Sequence, residues 1–211
     1  MRSRVAAHYA KGFLLGVPAL RGYVLGVFPV LSVMSRQCAQ SSLRGTGAGF
    51  PGVPRALACP EMRVTLMDAQ KKRLNFLQAV IDDLQVRNVT LVHARAEDAA
   101  QFPQHREKYD VAVARAVAPL AVLSEYLLPF VRVGGKAVCW KGPALSEELT
   151  QGRRAAHLLG GRVEEPVNVA IPGRDWQHML LPVSKTAKTA RQYPRKAGTP
   201  GKAPLGQSGN K

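Results

Sequence analysis

The sequence predicts an α/β fold in which a mainly parallel sheet carries helices on both faces. Between residues 45 and 184, short runs rich in β-branched and aliphatic residues alternate with longer segments whose apolar residues recur every three or four positions. Turns containing glycine or proline separate these runs. Such an alternation favours parallel strands joined by helical crossovers. Binding residues are then expected directly after the strands, where ligands of parallel sheets bind.

The strands are predicted from short β-rich runs with turn residues on either side. The last two runs are separated by Pro172-Gly173, a turn-forming pair, and are expected to form a hairpin. The predicted strands comprise residues 63–67, 89–92, 109–114, 136–140, 162–170 and 176–183.

The helices are predicted from apolar spacing and from residues that begin or end helices. Residues 70–84 place four aliphatic side chains at helical spacing. Residues 120–131 are expected to form a helix that ends near Gly134-Gly135. Residues 146–159 are expected to form a helix that is capped by Ser146 and ended by the glycines that follow it.

The charge of the chain predicts a polyanionic partner and divides the chain into three parts. The net charge is +16, yet residues 1–44 contribute six of the cations and residues 185–211 contribute seven, so the middle carries only three net charges. We therefore expect a basic N-terminal segment (1–44), one globular domain (45–184) and a basic flexible tail (185–211). The tail is either simply solvated or an arm that binds RNA phosphates.

Cysteine usage and hydropathy predict a cytoplasmic protein. The three cysteines are too few and too far apart for a disulfide framework or a zinc site, so a reducing compartment and no bound metal are expected. Residues 12–34 are mostly apolar, but Arg21 and two prolines interrupt them. Neither a signal peptide nor a membrane span is expected.

A glycine-rich run at residues 45–52 is the first candidate ligand site. A helix start, a strand and then Asp68 follow it, and an acid after the second strand can accept hydrogen bonds from ribose hydroxyls. A structural turn and a helix N-cap are the alternative roles of the run and of Asp68. Both a nicotinamide dinucleotide and S-adenosylmethionine fit so far. The third glycine comes one residue earlier than in a dinucleotide site and Phe50-Pro51 follows it, which suits a ligand without a pyrophosphate.

Six motifs in the same order resemble one known family. They are GTGAGFPG (45–52), LMDAQKKRLNFL (66–77), ARAED (94–98), VAVARAVAPL (111–120), WKG (140–142) and RQYPRKAGTPGKAPLG (191–206). They resemble the bacterial 16S ribosomal RNA guanine-N7 methyltransferases, also called glucose-inhibited division protein B. The resemblance covers about three-quarters of the chain and implies a Rossmann-like, S-adenosylmethionine-dependent methyltransferase fold.

The resemblance implies a set of cofactor-binding residues, most of which follow the predicted strands. They are Gly45, Phe50, Asp68, Ala96, Glu97 and Arg115. The first two would line the methionine-adenosine pocket, the aspartate would face the ribose, the Ala-Glu pair would lie beside the adenine, and the arginine would lie where cofactor and RNA meet. An ordinary helix-start acid and a surface cation are the alternative roles of Glu97 and Arg115.

The resemblance also implies methyl transfer from S-adenosylmethionine to N7 of a guanine in 16S ribosomal RNA, either free or in the small ribosomal subunit. Guanine N7 carries a lone pair and no proton, so it needs no general base, and no residue is assigned a catalytic role. Two alternatives remain. The chain could be an inactive remnant that at most binds RNA, or a nicotinamide-dependent oxidoreductase.

The chain departs from the family pattern just before the glycine-rich run. Leu43-Arg44 stand where the family has Asp-Val at the end of a central strand, and residues 37–42 are not a convincing buried strand. An arginine there would risk an unpaired buried charge. We hypothesise that residues 1–44 replace the family's N-terminal region, through a wrong reading frame or start. A divergent N-terminus is the alternative.

Overall fold

The computed structural model describes residues 40–44, 51–115, 118–171 and 174–207. Strands and helices alternate through most of this part of the chain. The strands are β1 (Gln40–Arg44), β2 (Arg63–Asp68), β3 (Val89–His93), β4 (Tyr109–Arg115), β5 (Val131–Lys141), β6 (Gly161–Val163), β7 (Val167–Ile171) and β8 (Arg174–Lys185). The helices are α1 (Gly52–Ala58), α2 (Lys71–Asp83), α3 (Ala96–Ala99), α4 (Leu120–Leu127), α5 (Leu145–Leu158) and α6 (Thr199–Lys202).

Within the described residues all the strands form one mixed sheet. Its order is β3-β2-β1-β4-β5-β8-β6, and β7 pairs with β8 beside β6. The first five strands are mutually parallel, whereas β8 runs antiparallel to β5, β6 and β7. The strand order reverses between β1 and β4, and a crevice at such a reversal is where parallel sheets bind their ligands.

Helices cover both faces of the sheet, as the sequence predicts. Helices α1 and α2 pack on one face against strand residues such as Leu66, Val111 and Val138. Helices α3, α4 and α5 pack on the other face, against residues of β2, β4, β5 and β8. Neighbouring residues of β4 and β5 enter opposite clusters, because successive side chains of a strand point to opposite faces.

Strand β1 differs from the expectation that residues 37–42 make a poor strand. The ladder places Gln40–Arg44 between β2 and β4, with Leu43 opposite both Leu66 and Val113. A strand needs its backbone groups paired on both sides at this position, and two well-formed neighbours supply that pairing whatever the local β-propensity.

Two helix ends also differ from the sequence-based prediction. Helix α4 ends at Leu127 and gives way to a short 3-10 turn, because Pro129 cannot donate the next helical hydrogen bond. The chain then enters β5 already at Val131, so Gly134-Gly135 lie inside a strand rather than at a helix end. Helix α5 starts at Leu145, and Ser146 does not cap it.

The C-terminal segment, residues 186–207, differs most from the prediction. The sequence predicts a flexible tail here, but the segment packs on the helices of one face. Arg106 donates hydrogen bonds to the carbonyls of Thr189, Ala190 and Tyr193, and Arg195 pairs with Glu125. Composition does not predict this packing, because the segment has few apolar side chains. It is held mainly by hydrogen bonds from polar side chains of the domain to its backbone. Within the described residues, no helix combines the length and apolar composition needed to cross a bilayer.

Candidate cofactor site

The carboxyl ends of the first four strands lie together at one edge of the sheet. The ladder places Arg44, the last residue of β1, opposite Met67 of β2 and Ala114 of β4. It also places Asp68 opposite His93. The loops that follow these strands therefore start side by side, where the sequence analysis expects the site.

Asp68 is the best-defined polar group at this edge. Its side chain is only 4% exposed, and its Oδ1 accepts a 2.8 Å hydrogen bond from the amide of Gln70. Its Oδ2 has a looser partner, Arg73, whose Nη1 lies 3.4 Å away on a half-exposed side chain. One oxygen is thus fixed by the backbone, while the other faces a half-exposed cation that a ligand hydroxyl could replace.

A pocket opens beside Asp68. Its walls come from the end of β2, the turn after β3, the start of α3 and one side chain of α2. Residues that line it are Met67, Asp68, Ala69, Arg73, Ala94, Arg95 and Ala96. The carbonyl of Asp68 accepts a hydrogen bond from the amide of Ala94, and a ring nitrogen of His93 lies 3.1 Å from the carbonyl of Ala69, so the two strand ends are held together. The pocket combines one carboxylate and two arginines with apolar Met and Ala side chains, so it offers both polar partners and an apolar surface to a nucleoside.

Glu97 lies directly after the pocket residue Ala96 and is almost fully buried. One of its carboxylate oxygens accepts a hydrogen bond from the amide of Gly198, in the C-terminal segment. Thus Asp68 and Ala96 come together in one pocket, while Glu97 connects that pocket to the end of the chain. This connection has no signal in the sequence, because 101 positions separate the two groups.

The remaining predicted site residues are less fully defined. Gly45 and Phe50 lie outside the described residues. Arg115 ends β4, where its backbone is opposite Trp140 of β5. The structure therefore places Arg115 on the strand next to β1, at the same edge of the sheet as Asp68.

A partly buried ion pair, formed by residues outside the predicted set, lies at the end of β5 on the same side of the sheet. The Lys141 ammonium, at the end of β5, donates to Glu148 over 2.6 Å and to the carbonyl of Ala118. Glu148 also accepts from the amide of Leu120, the first residue of α4. The pair thus fixes the chain that returns from β4. In the sequence, Lys141 stands out only as the middle residue of the WKG motif.

The neighbouring thiol offers no nucleophile. Cys139 is fully buried in β5, and burial raises its pKa to about 12. A thiol that stays protonated at neutral pH packs as a small apolar side chain.

Comparison with solved structures defines the class of fold. The chain is similar to the 16S rRNA (adenine(1408)-N(1))-methyltransferase from Catenulisporales acidiphilia, in a structure with cosubstrate SAM (TM-score 0.57, 16% identity, 77% of this chain and 93% of that one). It is also similar to Aeropyrum pernix fibrillarin with bound S-adenosyl-L-methionine (TM-score 0.54, 16% identity, 69% of this chain and 66% of that one). The fold is that of S-adenosylmethionine-dependent methyltransferases.

Sequence comparison defines the family. The model of the rRNA small subunit methyltransferase G family matches residues 31–175. Proteins named ribosomal RNA small subunit methyltransferase G are 47% identical in Clostridium botulinum and 50% identical in Alkaliphilus oremlandii, each over 161 residues, 76% of this chain and 67% of the relative. The chain belongs to the rRNA small subunit methyltransferase G family. The resemblance inferred from the motifs is confirmed. The family match begins at residue 31, inside the segment that the sequence analysis sets apart as atypical.

Proposed function

We propose that the chain transfers a methyl group from S-adenosylmethionine to N7 of a guanine in 16S ribosomal RNA. Membership of the rRNA small subunit methyltransferase G family carries this proposal. The motifs that resemble the guanine-N7 enzymes name the target atom. The substrate is then the ribosomal RNA, free or in the small ribosomal subunit, and the activity belongs to the cytoplasm. The same family match favours a methyltransferase over a nicotinamide-dependent oxidoreductase.

The pocket at the ends of β2 and β3 fits an adenosine. Among the described residues, the Oδ2 atom of Asp68 is held by one half-exposed arginine, so a ribose hydroxyl can take that place. Met67, Ala94 and Ala96 supply a wall without polar side chains, which suits an adenine ring. We propose that Gly45 and Phe50, which follow β1, complete this pocket, and that Glu97 supports its adenine side.

The chemistry asks little of the protein beyond position. Bound S-adenosylmethionine supplies a methyl group activated by a sulfonium, and N7 of a neutral guanine has a free lone pair to attack it. No proton has to leave N7, so the site needs no general base. The tasks of the protein are to align the two partners and to keep water out of the space between them. Arg115, at the end of β4, is the residue that we propose at the boundary between cofactor and RNA.

Calorimetry and a methylation assay test the function directly. We expect the purified chain to bind S-adenosylmethionine or S-adenosylhomocysteine and not NAD. We expect it to transfer a labelled methyl group to 16S rRNA, with the product identified as 7-methylguanosine. Binding of NAD with no binding of either S-adenosyl ligand would reverse the assignment.

Asp68→Asn tests the pocket. The substitution keeps the shape of the side chain but removes the charge from a hydrogen bond that contributes roughly 1.5–3 kcal/mol, so affinity for S-adenosylmethionine should fall about 10- to 100-fold. Asp82→Asn is a matched control, because Asp82 is an exposed acid on α2. Equal affinities of the two variants for S-adenosylmethionine would show that Asp68 does not bind the cofactor.

A further inference from the structure

We propose that the outer face of the C-terminal segment (186–207) is a fixed docking surface for RNA phosphates beside the cofactor pocket. The inference rests on the proposed function, because it assigns part of the RNA contact of that methyltransferase. It differs from the expectation of a flexible basic arm, because the segment is held in one conformation.

Three carboxylates of the domain hold the inner side of the segment. Glu107 accepts a hydrogen bond from the amide of Thr189, and Glu97 accepts one from the amide of Gly198. Between them, Glu125 accepts three hydrogen bonds from the Arg195 guanidinium and one from the Arg195 amide, with the shortest contact at 2.6 Å. The Glu125 side chain is fully buried, so this pair is shielded from solvent. The segment is therefore fixed along much of its length.

The outer side of the segment is cationic. Lys188, Arg191, Lys196 and Lys202 are all exposed, and none of them takes part in the ion pairs that the structure describes. Residues 176–211 contain no Asp or Glu. The three carboxylates that contact the segment bind its inner side. The outer side therefore presents positive charges, and a surface of this kind attracts polyanions.

The path of the segment brings this charge to the site. It begins after β8, whose last residue, Lys185, donates a hydrogen bond to the carbonyl of Leu128, just before the start of β5. It reaches Glu97 at the other edge of the sheet, next to the pocket residue Ala96. Lys196 lies only two residues before Gly198, so the basic surface extends to the neighbourhood of the pocket.

The chemistry of the surface favours RNA over an anionic membrane. Within the described residues, the exposed large apolar side chains are Phe76, Phe102, Val133 and Leu158, and none lies in the segment. Protein surfaces that bind membranes add apolar side chains to their cations, whereas contacts to nucleic-acid phosphates need the cations alone.

A pair of charge-matched variants tests the surface. The test variant combines Lys188→Gln, Arg191→Gln, Lys196→Gln and Lys202→Gln. The control variant combines Arg63→Gln, Lys71→Gln, Lys72→Gln and Arg87→Gln, four exposed cations on β2, α2 and the turn before β3. Both lose the same net charge. Affinity for deproteinised 16S rRNA is measured over a series of salt concentrations, together with affinity for S-adenosylmethionine and for vesicles containing phosphatidylserine.

We expect the test variant to bind the RNA on the order of ten-fold or more weakly at moderate salt and to lower the salt slope by about 3. Its affinity for S-adenosylmethionine should stay within about two-fold of the unchanged chain, because no pocket side chain is altered. The control variant should lose clearly less RNA affinity.

Three results would contradict the proposed RNA-docking surface. They are an unchanged RNA affinity in the test variant, an equal loss of RNA affinity in the control variant, and a loss of affinity confined to the vesicles. If the unchanged chain methylates 16S rRNA while the test variant keeps the same KM for it, only this inference fails. If the unchanged chain binds neither cofactor nor RNA, the proposed function fails with it.

Discussion

Lys185 is a cation without exposed side-chain surface, placed at the end of β8. Its ammonium donates hydrogen bonds to the Leu128 carbonyl over 2.9 Å and to the Thr189 hydroxyl, and it lies 3.3 Å from Glu107. Burial lowers the pKa of Lys185 to about 8, although Glu107 acts in the opposite direction. The protein thus holds a charged group in a place that favours its neutral form.

This lowered pKa has a consequence for stability at alkaline pH. Between about pH 8 and 10.5, Lys185 keeps its proton in the unfolded chain and loses it in the folded one, so folding stability should rise with pH by about 1 kcal/mol per unit. Urea unfolding of the wild type and of Lys185→Met over this range measures the effect. The difference between the two free energies of unfolding should increase with pH. A difference that stays constant or falls would contradict the lowered pKa.

At the scale of single residues, sequence reasoning located Asp68 because its position is local. An acid directly after a β-rich run must lie at the end of that strand, and the strand ends of a parallel sheet meet. The same reasoning missed the contact between Glu97 and Gly198, as well as the role of Lys141. Those contacts join elements distant in sequence, and no local pattern records which carboxylate a remote amide or ammonium will meet.

Helices α4 and α5 approach each other closely where Gly152 faces Leu120. A Cβ added to Gly152 would lie 2.5 Å from the Leu120 Cγ and 2.8 Å from its Cβ. Gly152→Ala should therefore destabilise the fold by about 1–3 kcal/mol through overpacking. Gly142→Ala is the control, since no atom of the described residues lies within 4 Å of its added Cβ, and its free energy of unfolding should change little. A Gly152→Ala protein as stable as the control would show that the two helices can separate without cost.

At the scale of elements, the pattern of apolar spacing predicted the main helices and strands, and the errors have physical causes. The glycines at 134 and 135 suggested a helix end, yet Gly135 lies in β5 against β4, where an added Cβ would meet the Asp110 carbonyl at 2.5 Å. Glycine is favoured where two strands approach closely, and it is also favoured where a helix ends. Only the neighbouring strand, which the sequence does not show, distinguishes the two uses.

At the scale of the whole molecule, composition predicted the charge but not the conformation of the C-terminal segment. A stretch with few apolar residues usually cannot compensate the entropy of ordering. Here the domain provides the compensation through Glu107, Glu125 and Arg106, which bind backbone groups and one arginine of the segment. The end of the chain thereby becomes part of the fold.

The pair formed by Arg195 and Glu125 joins positions 70 residues apart and should couple the segment to the stability of the whole domain. Arg195→Gln would leave the fully buried Glu125 carboxylate without a cation, which should lower the free energy of unfolding by about 3 kcal/mol. Adding Glu125→Gln removes the buried charge, so the double variant should be more stable than Arg195→Gln alone. Urea unfolding gives the free energies, and trypsin cleavage within 186–207 reports release of the segment. If Arg195→Gln unfolds at the wild-type urea concentration and resists trypsin equally, the segment is not held by this pair.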